Sequence, residues 1–166
     1  MNKTGTVVQT GGCPYVIRWA RVEEWEPAMK MIWKTFLKFE AVDYSDEGIH
    51  NFLEFITDEK LFHSFLRGDY QMMVALDKER VIGAASVRNR NHLSLLFVDE
   101  AYHRRGIGKA LMERFCTYLK NEEGEHYMSL TAAPYAVNFY RKLGFRITGP
   151  EREVSGIRIT SMEKCF

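Results

Sequence analysis

The spacing of apolar side chains predicts helices in the first part of the chain. Over residues 22–39 the apolar positions lie three and four residues apart, which places them on one face of an amphipathic helix. A short β-prone run at 15–19 precedes this helix. Two more amphipathic segments follow, one from the N-cap candidate Ser45 and one after Asp58. The chain therefore begins with a strand and a layer of helices.

The spacing of the apolar residues changes after Tyr70, where runs of β-forming residues replace the helical pattern. Residues 71–76 and 81–87 are two such runs, and the polar turn 77–80 separates them. This arrangement predicts a β-hairpin. A third strand is predicted at 92–98, so the middle of the chain forms part of a sheet.

The second half returns to alternation between helix and strand. Apolar residues recur every four positions from Ile107, and Gly124 lies just past the polar end of that pattern, which predicts one helix between them. Four elements complete the chain, as strand, helix and two strands, at 127–131, 134–143, 145–148 and 154–162. This order predicts an α/β protein with a mixed sheet and helices on its faces.

Length and composition are those of one folded domain. The chain has 166 residues, of which 46% are hydrophobic and 27% charged, as in water-soluble globular proteins. Residues 1–13 are rich in Thr and Gly and almost without apolar side chains. We therefore expect a disordered tail at 1–13 and a single domain at 14–166.

Charge and hydropathy exclude several classes of protein. The formal net charge is +1, so no overall field attracts nucleic acid or an anionic membrane. The apolar run 95–98 is far shorter than the roughly 20 residues of a membrane span, and no secretory signal follows Lys3. We expect a cytoplasmic protein. Cys13, Cys116 and Cys165 lack the spacing of a zinc site or a disulfide framework.

A glycine-containing loop joins a predicted strand to a predicted helix and reads His103-Arg104-Arg105-Gly106-Ile107-Gly108. Backbone amides at the start of a helix are unpaired and lie at the positive end of its dipole, which suits a phosphate group. Arg104 and Arg105 can add positive charge. The alternative is that the glycines only form a tight turn.

Two other phosphate-binding loops do not fit this segment. A Walker A loop requires Ser or Thr after its Gly-Lys pair, but Ala110 follows Gly108 and Lys109. The dinucleotide fingerprint requires a third glycine where Leu111 stands. The loop is therefore of a different kind.

Two segments resemble the GNAT superfamily of acyl-CoA-dependent N-acetyltransferases. Residues 95–111 contain the glycine loop, which is similar to the family pattern (Q/R)xxGx(G/A), with His103 in place of Gln or Arg. Residues 134–145 are similar to the later helix of the family and contain Phe139-Tyr140-Arg141-Lys142-Leu143-Gly144-Phe145. The element order agrees from residue 15 onward, so the resemblance covers nearly the whole chain.

The resemblance implies a mixed, mostly antiparallel sheet of about seven strands with helices on both faces. It also implies that the sheet is splayed between the strands at 92–98 and 127–131, with acetyl-CoA in the gap. The cofactor-binding residues that it implies are Leu96, Phe97, Val98, His103, Arg104, Arg105, Gly106, Ile107, Gly108, Lys109 and Asn138. Ala133 occupies the position at which many members carry an Asn that contacts the cofactor. Asn138 is a nearby amide but lies outside that register.

Tyr140 is the candidate donor to the departing thiolate. A tyrosine hydroxyl is neutral and carries its proton at physiological pH, and the resemblance places this residue near the sulfur of CoA. Helical position alone favours a different reading, in which Tyr140 is a core aromatic beside Phe139.

His92 is the candidate base, because it begins the strand beside the gap and titrates near neutrality. Ser94 could hold a water with it. A histidine that caps the preceding turn is an equal reading, and Asp46, Glu54 and Asp99 are alternatives. These spacings supply no metal site.

The sequence therefore predicts an enzyme that moves an acetyl group from acetyl-CoA to a primary amine by direct transfer in a ternary complex. The rival is a non-catalytic acyl-CoA sensor or interaction module. We expect the loop at 40–44 to face the acceptor. Asp43, Asp46 and Glu47 could attract a cationic amine, but their positions favour solvated charges at a helix end. The acceptor amine is not identified by the sequence, and a homodimer is compatible with it. No metal, nucleic acid or membrane is expected as a partner.

Overall fold

The computed structural model describes residues 6–10 and 13–166, with side chains from Tyr15 onward. Nine strands lie in this part of the chain: β1 Thr6–Thr10, β2 Cys13–Trp19, β3 Gln71–Asp77, β4 Arg80–Arg88, β5 His92–Val98, β6 Tyr127–Ala132, β7 Arg146–Ile147, β8 Arg152–Val154 and β9 Ile157–Cys165. Its five α-helices are α1 Trp25–Phe39, α2 Asp46–Thr57, α3 Glu59–Arg67, α4 Ile107–Asn121 and α5 Val137–Lys142.

The strands form one twisted mixed sheet in the order β1-β2-β3-β4-β5-β6-β9-β7, with β8 paired to β9. Every neighbouring pair is antiparallel except β5 and β6, which are parallel. The expected α/β fold with a mixed, mostly antiparallel sheet is therefore confirmed. Within the described residues, no helix has both the length and the apolar surface to cross a membrane.

Two strands were not expected from the sequence. Residues 6–10, which lie in the segment predicted as a disordered tail, pair with β2 as an edge strand. Residues 1–5 and 11–12 of the predicted tail lie outside the described part, so the predicted boundary at residue 14 stays a prediction. The run 154–162 is not one strand, because Ser155 and Gly156 adopt positive φ angles of 51° and 80° and turn β8 back into β9.

The sheet separates two hydrophobic cores. On one face α4 packs against the middle of the sheet through residues such as Leu111, Phe115 and Leu119. On the other face α1, α2 and α3 enclose a second core that includes Ile32 and Phe36. The middle strands β3 and β4 are buried on both faces, as expected for strands covered by two helical layers.

β5 and β6 diverge at the centre of the sheet. They pair at a single position, where His92 lies opposite Ser129. Over residues 93–98, β5 forms no further pair with the described part of β6. Unpaired strand edges leave main-chain donors and acceptors that require another partner. The divergence therefore produces the central gap that the family resemblance implied.

A β-bulge interrupts β5 beside this gap. Val87 pairs with Leu93, whereas the adjacent Ser86 pairs with Leu95, so Ser94 is an extra residue in β5. Leu93 belongs to the core under α4, but Leu95 belongs to the core on the opposite face. In a regular strand Leu93 and Leu95 would point to the same face of the sheet. Because of the bulge, they point to opposite faces.

Candidate active site

The glycine loop lies between β5 and α4. A short 3-10 turn follows β5, and Asp99 caps it by accepting a hydrogen bond of 3.0 Å from the Ala101 amide. α4 then begins at Ile107 with Gly106 as its N-cap, in the left-handed conformation with φ of 75°. Arg104 also has a positive φ, 62°. The glycine that the backbone requires is therefore Gly106.

The loop borders a cavity of about 430 Å³, called the loop cavity below, and small-ligand sites are typically about 300 to 1,000 Å³. Residues of α5 close its other side. Eight of the predicted cofactor residues line it: Leu96, Val98, His103, Arg104, Gly106, Ile107, Gly108 and Lys109. The structure thus brings most of the predicted cofactor site together around the start of α4.

The three remaining predicted cofactor residues do not line the loop cavity. Phe97 is buried in the core beneath α1 and α2. Arg105 turns away from the cavity, since its Nη1 donates a hydrogen bond of 2.8 Å to the hydroxyl of Tyr15. Asn138 is exposed on α5. These side chains are not gathered with the others, although the main chain of Phe97 still runs along the edge of β5.

His103 bonds to the strand that it follows. Its Nε2 lies 2.6 Å from the carbonyl oxygen of Val98. Because a carbonyl oxygen only accepts, Nε2 carries the proton and donates it. This bond folds the loop back against the end of β5 and occupies one of the main-chain acceptors at the gap.

A second cavity of 350 Å³, called the gap cavity below, lies between the diverging strands, α2 and the turn between β8 and β9. It shares four residues with the loop cavity, namely Glu40, Leu96, Ala136 and Tyr140. The two cavities therefore meet at these residues. Neither Cys116 nor Cys165, the two free cysteines among the described side chains, lines either cavity.

Tyr140 occupies the junction of the two cavities. Its side chain is 9% exposed, and its hydroxyl makes no hydrogen bond with any described residue. Burial and the negative charge of Glu40 raise its pKa above the usual value of 10. The hydroxyl therefore remains protonated at physiological pH and is free to donate to a ligand.

Glu40 is the residue at this junction that the sequence did not single out. It follows the last turn of α1, and the hydroxyls of Tyr135 and Tyr44 both donate hydrogen bonds to its carboxylate. Burial raises the pKa of Glu40 above 4.5, and the two tyrosine hydrogen bonds oppose that rise. The predicted acceptor loop at 40–44 does reach the gap cavity, through Glu40 and Tyr44.

Asp43, Asp46 and Glu47, the acids considered for attracting a cationic amine, do not line the gap cavity. Asp46 and Glu47 instead lie in the exposed first turn of α2. No local pattern distinguishes Glu40 from these neighbouring acids in the sequence. Its proximity to Tyr135, 95 residues away, is what identifies it.

His92 lies at the closed end of the gap, where β5 and β6 pair. Its Nδ1 is 2.9 Å from Oγ of Ser129, and burial together with the charge of Arg88 lowers its pKa below 6.5. His92 lines neither cavity, whereas the bulge residue Ser94 does line the gap cavity. The structure therefore does not gather His92 with Tyr140, and its role as base stays a prediction.

Ser94 is held by a chain of hydroxyls. The hydroxyl of Tyr70 donates to Ser94 Oγ at 3.0 Å and lies 2.6 Å from Oγ of Ser86. Tyr70 has a single hydroxyl proton, so Ser86 donates to Tyr70 in this arrangement. The proton of Ser94 then remains available to a group in the gap cavity.

The other candidate bases lie elsewhere. Glu54 is exposed on α2 and pairs with His50 at 3.0 Å. Asp99 pairs with Arg80 at 3.3 Å and caps the turn before the loop. Within the described side chains, no cluster of three or more His, Cys, Asp or Glu residues could hold a metal ion.

Comparison with known proteins places these features in one family. The family described as acetyltransferase (GNAT) domain matches residues 40–166. The curated protein "Putative acetyltransferase BSU40680" of Bacillus subtilis (strain 168) is 30% identical over 112 residues, which are 66% of this chain and 76% of that protein.

Solved structures of low sequence identity have the same fold. A GCN5-related N-acetyltransferase of Rhodopseudomonas palustris superposes with a TM-score of 0.78 at 20% identity and covers 97% of this chain and 98% of its own. The PaiA N-acetyltransferase of Thermoplasma acidophilum, solved with coenzyme A, gives 0.77 at 22% identity, with coverage of 92% and 99%. Because the family match contains the glycine loop, the divergent strands and the Tyr140 helix together, this chain belongs to the GNAT acetyltransferase family.

Proposed function

We propose that this protein transfers an acetyl group from acetyl-CoA to a primary amine by direct transfer in a ternary complex. The loop cavity holds the pyrophosphate and pantetheine of acetyl-CoA, and the gap cavity holds the amine. The observation that carries this proposal is that the two cavities meet at Tyr140, Leu96 and Ala136. Two substrates bound in these cavities reach each other without a covalent enzyme intermediate.

The start of α4 supports the placement of the pyrophosphate. The amides that follow Gly106 are the first of the helix and lack intrahelical partners. They lie at the positive end of the helix dipole, where a negative group is stabilised. Arg104 and Lys109 line the same cavity and add positive charge.

The edge of β5 supports the placement of the pantetheine. Residues 93–98 form no strand pair with the described part of β6, and of their main-chain acceptors on that side the Val98 carbonyl is occupied by His103. A bound amide chain along this edge can pair with the remaining main-chain groups as an added strand does. Leu96 and Val98 line the loop cavity at this edge.

Tyr140 has the properties required of the proton donor. Attack of the neutral amine nitrogen on the thioester carbonyl forms the C–N bond, and the C–S bond then breaks with its electron pair on sulfur. The Tyr140 hydroxyl gives its proton to that sulfur, and the proton lost by the amine restores the hydroxyl through the solvent. Its raised pKa keeps it protonated until the thiolate forms.

The test is release of free thiol by the purified protein, with acetyl-CoA and a panel of amines, amino acids, polyamines and peptides. We expect thiol release that requires an amine and equals the amount of acetylated amine formed. Calorimetry with acetyl-CoA measures binding separately. Tight binding of acetyl-CoA without thiol release for any amine would instead identify the protein as an acyl-CoA sensor.

A further inference from the structure

The gap cavity has two charged side chains among the described residues that line it, Glu40 and Arg88. They carry opposite charges. We infer that the acceptor, in the acetyl transfer proposed above, is a primary amine that also carries a carboxylate at its far end. Glu40 binds the ammonium group at the junction with the loop cavity, where the group gives one proton to the solvent before it attacks, and Arg88 binds the carboxylate at the other end.

Glu40 lacks a cationic partner. Of the ion pairs that the described residues form, none includes Glu40. Its hydrogen-bond partners Tyr135 and Tyr44 are neutral donors. A carboxylate removed from water is stabilised by a positive charge, and its four lone-pair positions leave room beyond two tyrosines. An ammonium group in the gap cavity supplies that charge beside Tyr140.

Arg88 also lacks an anionic partner in the described part of the chain. It is the last residue of β4, it pairs across the sheet with His92, and it lines the gap cavity. A guanidinium group binds a carboxylate through two parallel hydrogen bonds. The charged end of Arg88 is therefore suited to the carboxylate of a bound acceptor.

The positions along β5 set the length of the acceptor. Leu96 borders both cavities, whereas Arg88 lies opposite His92. Leu96 pairs with Ala85 of β4, which is three residues from Arg88, so the two levels are about 10 Å apart at about 3.3 Å per residue. The ammonium and carboxylate of one α-amino acid are too close together to bridge that span. A short peptide, or an amine joined to a carboxylate through a longer chain, can approach both charges.

Apolar side chains form part of the lining of the gap cavity. The lining includes Phe52 and Phe55 of α2 and Ile157 and Ile159 of β9, together with polar residues such as Asn51. Apolar side chains in the middle of the acceptor would be removed from water there. We therefore choose Ala-Leu-Leu as the first probe, since it has a free amine, two apolar side chains and a terminal carboxylate.

The test compares Ala-Leu-Leu with the same peptide amidated at its C-terminus, with kcat/KM from thiol release. The selectivity ratio is kcat/KM for the free carboxylate divided by that for the amide. We expect a ratio of about ten or more for the unaltered protein, from a charge-assisted hydrogen bond. Arg88→Gln should bring the ratio close to one through KM rather than kcat, and Arg88→Glu should bring it below one.

Arg90→Gln is the matched control, because Arg90 is an exposed arginine two residues away that pairs with Glu125 and does not line the gap cavity. Its ratio should equal that of the unaltered protein. Calorimetry with acetyl-CoA and a thermal melt establish that each variant is folded and binds the co-substrate.

Several results would overturn the inference. One is equal use of the amidated peptide by the unaltered protein, or a preference for spermidine, which has amines and no carboxylate. Another is the same ratio in Arg88→Gln and Arg90→Gln. In each case thiol release still supports acetyl transfer to an amine. Thiol release with no amine at all would instead contradict the proposed function itself, and the inference with it.

Discussion

The hydroxyl of Tyr135 donates a hydrogen bond of 2.9 Å to Oε1 of Glu40 across 95 positions of sequence. Glu40 ends α1, whereas Tyr135 belongs to the 3-10 turn that precedes α5. The bond therefore joins the helices on the two sides of the sheet at the mouth of the central gap. Tyr140 lies at the same junction, and the Glu40 charge contributes to its raised pKa.

Tyr140→Phe should reduce turnover while acetyl-CoA binding stays nearly the same. The ring that packs at the junction is retained, and the variant loses only the hydroxyl proton. Loss of a general acid typically lowers the rate by about 10²- to 10⁴-fold. Thiol release gives kcat, and calorimetry gives the acetyl-CoA affinity.

Tyr127→Phe is the control for this variant, because Tyr127 is exposed on β6 and lines neither cavity. A kcat for Tyr140→Phe within about twofold of the Tyr127→Phe value, when chemistry limits the rate, would show that Tyr140 is a packing residue.

Gly108→Val should weaken acetyl-CoA binding at the loop. A Cβ at Gly108 would lie 3.4 Å from Cζ of Phe139 and 3.7 Å from Cγ2 of Val98, so the two methyl groups of valine would have to displace these neighbours. Such overpacking commonly costs about 1–3 kcal/mol of folding stability, and the displaced side chains line the loop cavity in which acetyl-CoA is proposed to bind. Gly108→Ala adds the Cβ alone at ordinary contact distance and should bind more tightly than the valine variant. Equal affinity of Gly108→Val and the unaltered protein would reject the loop as the binding site.

Gly156→Ala should destabilise the wall of the gap cavity. Gly156 has a φ of 80°, and a Cβ there would overlap Oγ of Ser45, which caps α2 by accepting from the Gly48 amide. The left-handed conformation costs about 1–2 kcal/mol, and loss of the cap costs about 1 kcal/mol more. Urea unfolding measures the free energy of unfolding.

Gly124→Ala provides the comparison for that measurement. Gly124 also has a positive φ, 67°, but a Cβ there would meet nothing within 4 Å. The free energy of unfolding of Gly124→Ala should therefore fall only by the cost of the left-handed backbone conformation. Equal losses for the two variants would show that the cap of α2 does not depend on Gly156.

If His92 is the base, the pH profile of kcat/KM should depend on both His92 and Arg88. A base must be unprotonated, and the lowered pKa of His92 places the acidic limb below pH 6.5. Arg88→Gln removes the positive charge that contributes to the lowered pKa of His92, so the acidic limb of the kcat/KM profile should move to higher pH. His92→Gln should remove the limb. These profiles use one acceptor without a carboxylate, since Arg88 is also inferred to bind one.

A His92→Gln profile that overlays that of the unaltered protein would exclude His92. If Glu40→Gln then abolished the limb, the base would be Glu40, whose raised pKa also places its ionisation above pH 4.5. The ionisation of the amine itself extends the rise to higher pH in either case.

Local sequence was sufficient to predict the parts of the site that one segment forms. β5 spans the predicted residues 92–98, and Ser45 is the N-cap of α2. The glycine loop lies between β5 and α4 as expected. In each case a few neighbouring residues determine the conformation, through β propensity, a capping hydroxyl or a left-handed glycine.

The remaining features depend on contacts between distant segments. Glu40 resembles any acid at a helix end until Tyr135 and Tyr140 are placed beside it. The bulge at Ser94 follows from pairing with β4, which the alternation in β5 alone does not reveal. The Ser155-Gly156 pair is a recognised turn signal and could have divided β8 from β9.

The central claim is direct transfer between two substrates bound in adjoining cavities. Initial rates of thiol release, measured while acetyl-CoA and one amine are varied together, test it most directly. A ternary complex predicts double-reciprocal lines that intersect, with one acetylated amine formed for each thiol. Parallel lines, which indicate a covalent acyl-enzyme, would contradict the claim.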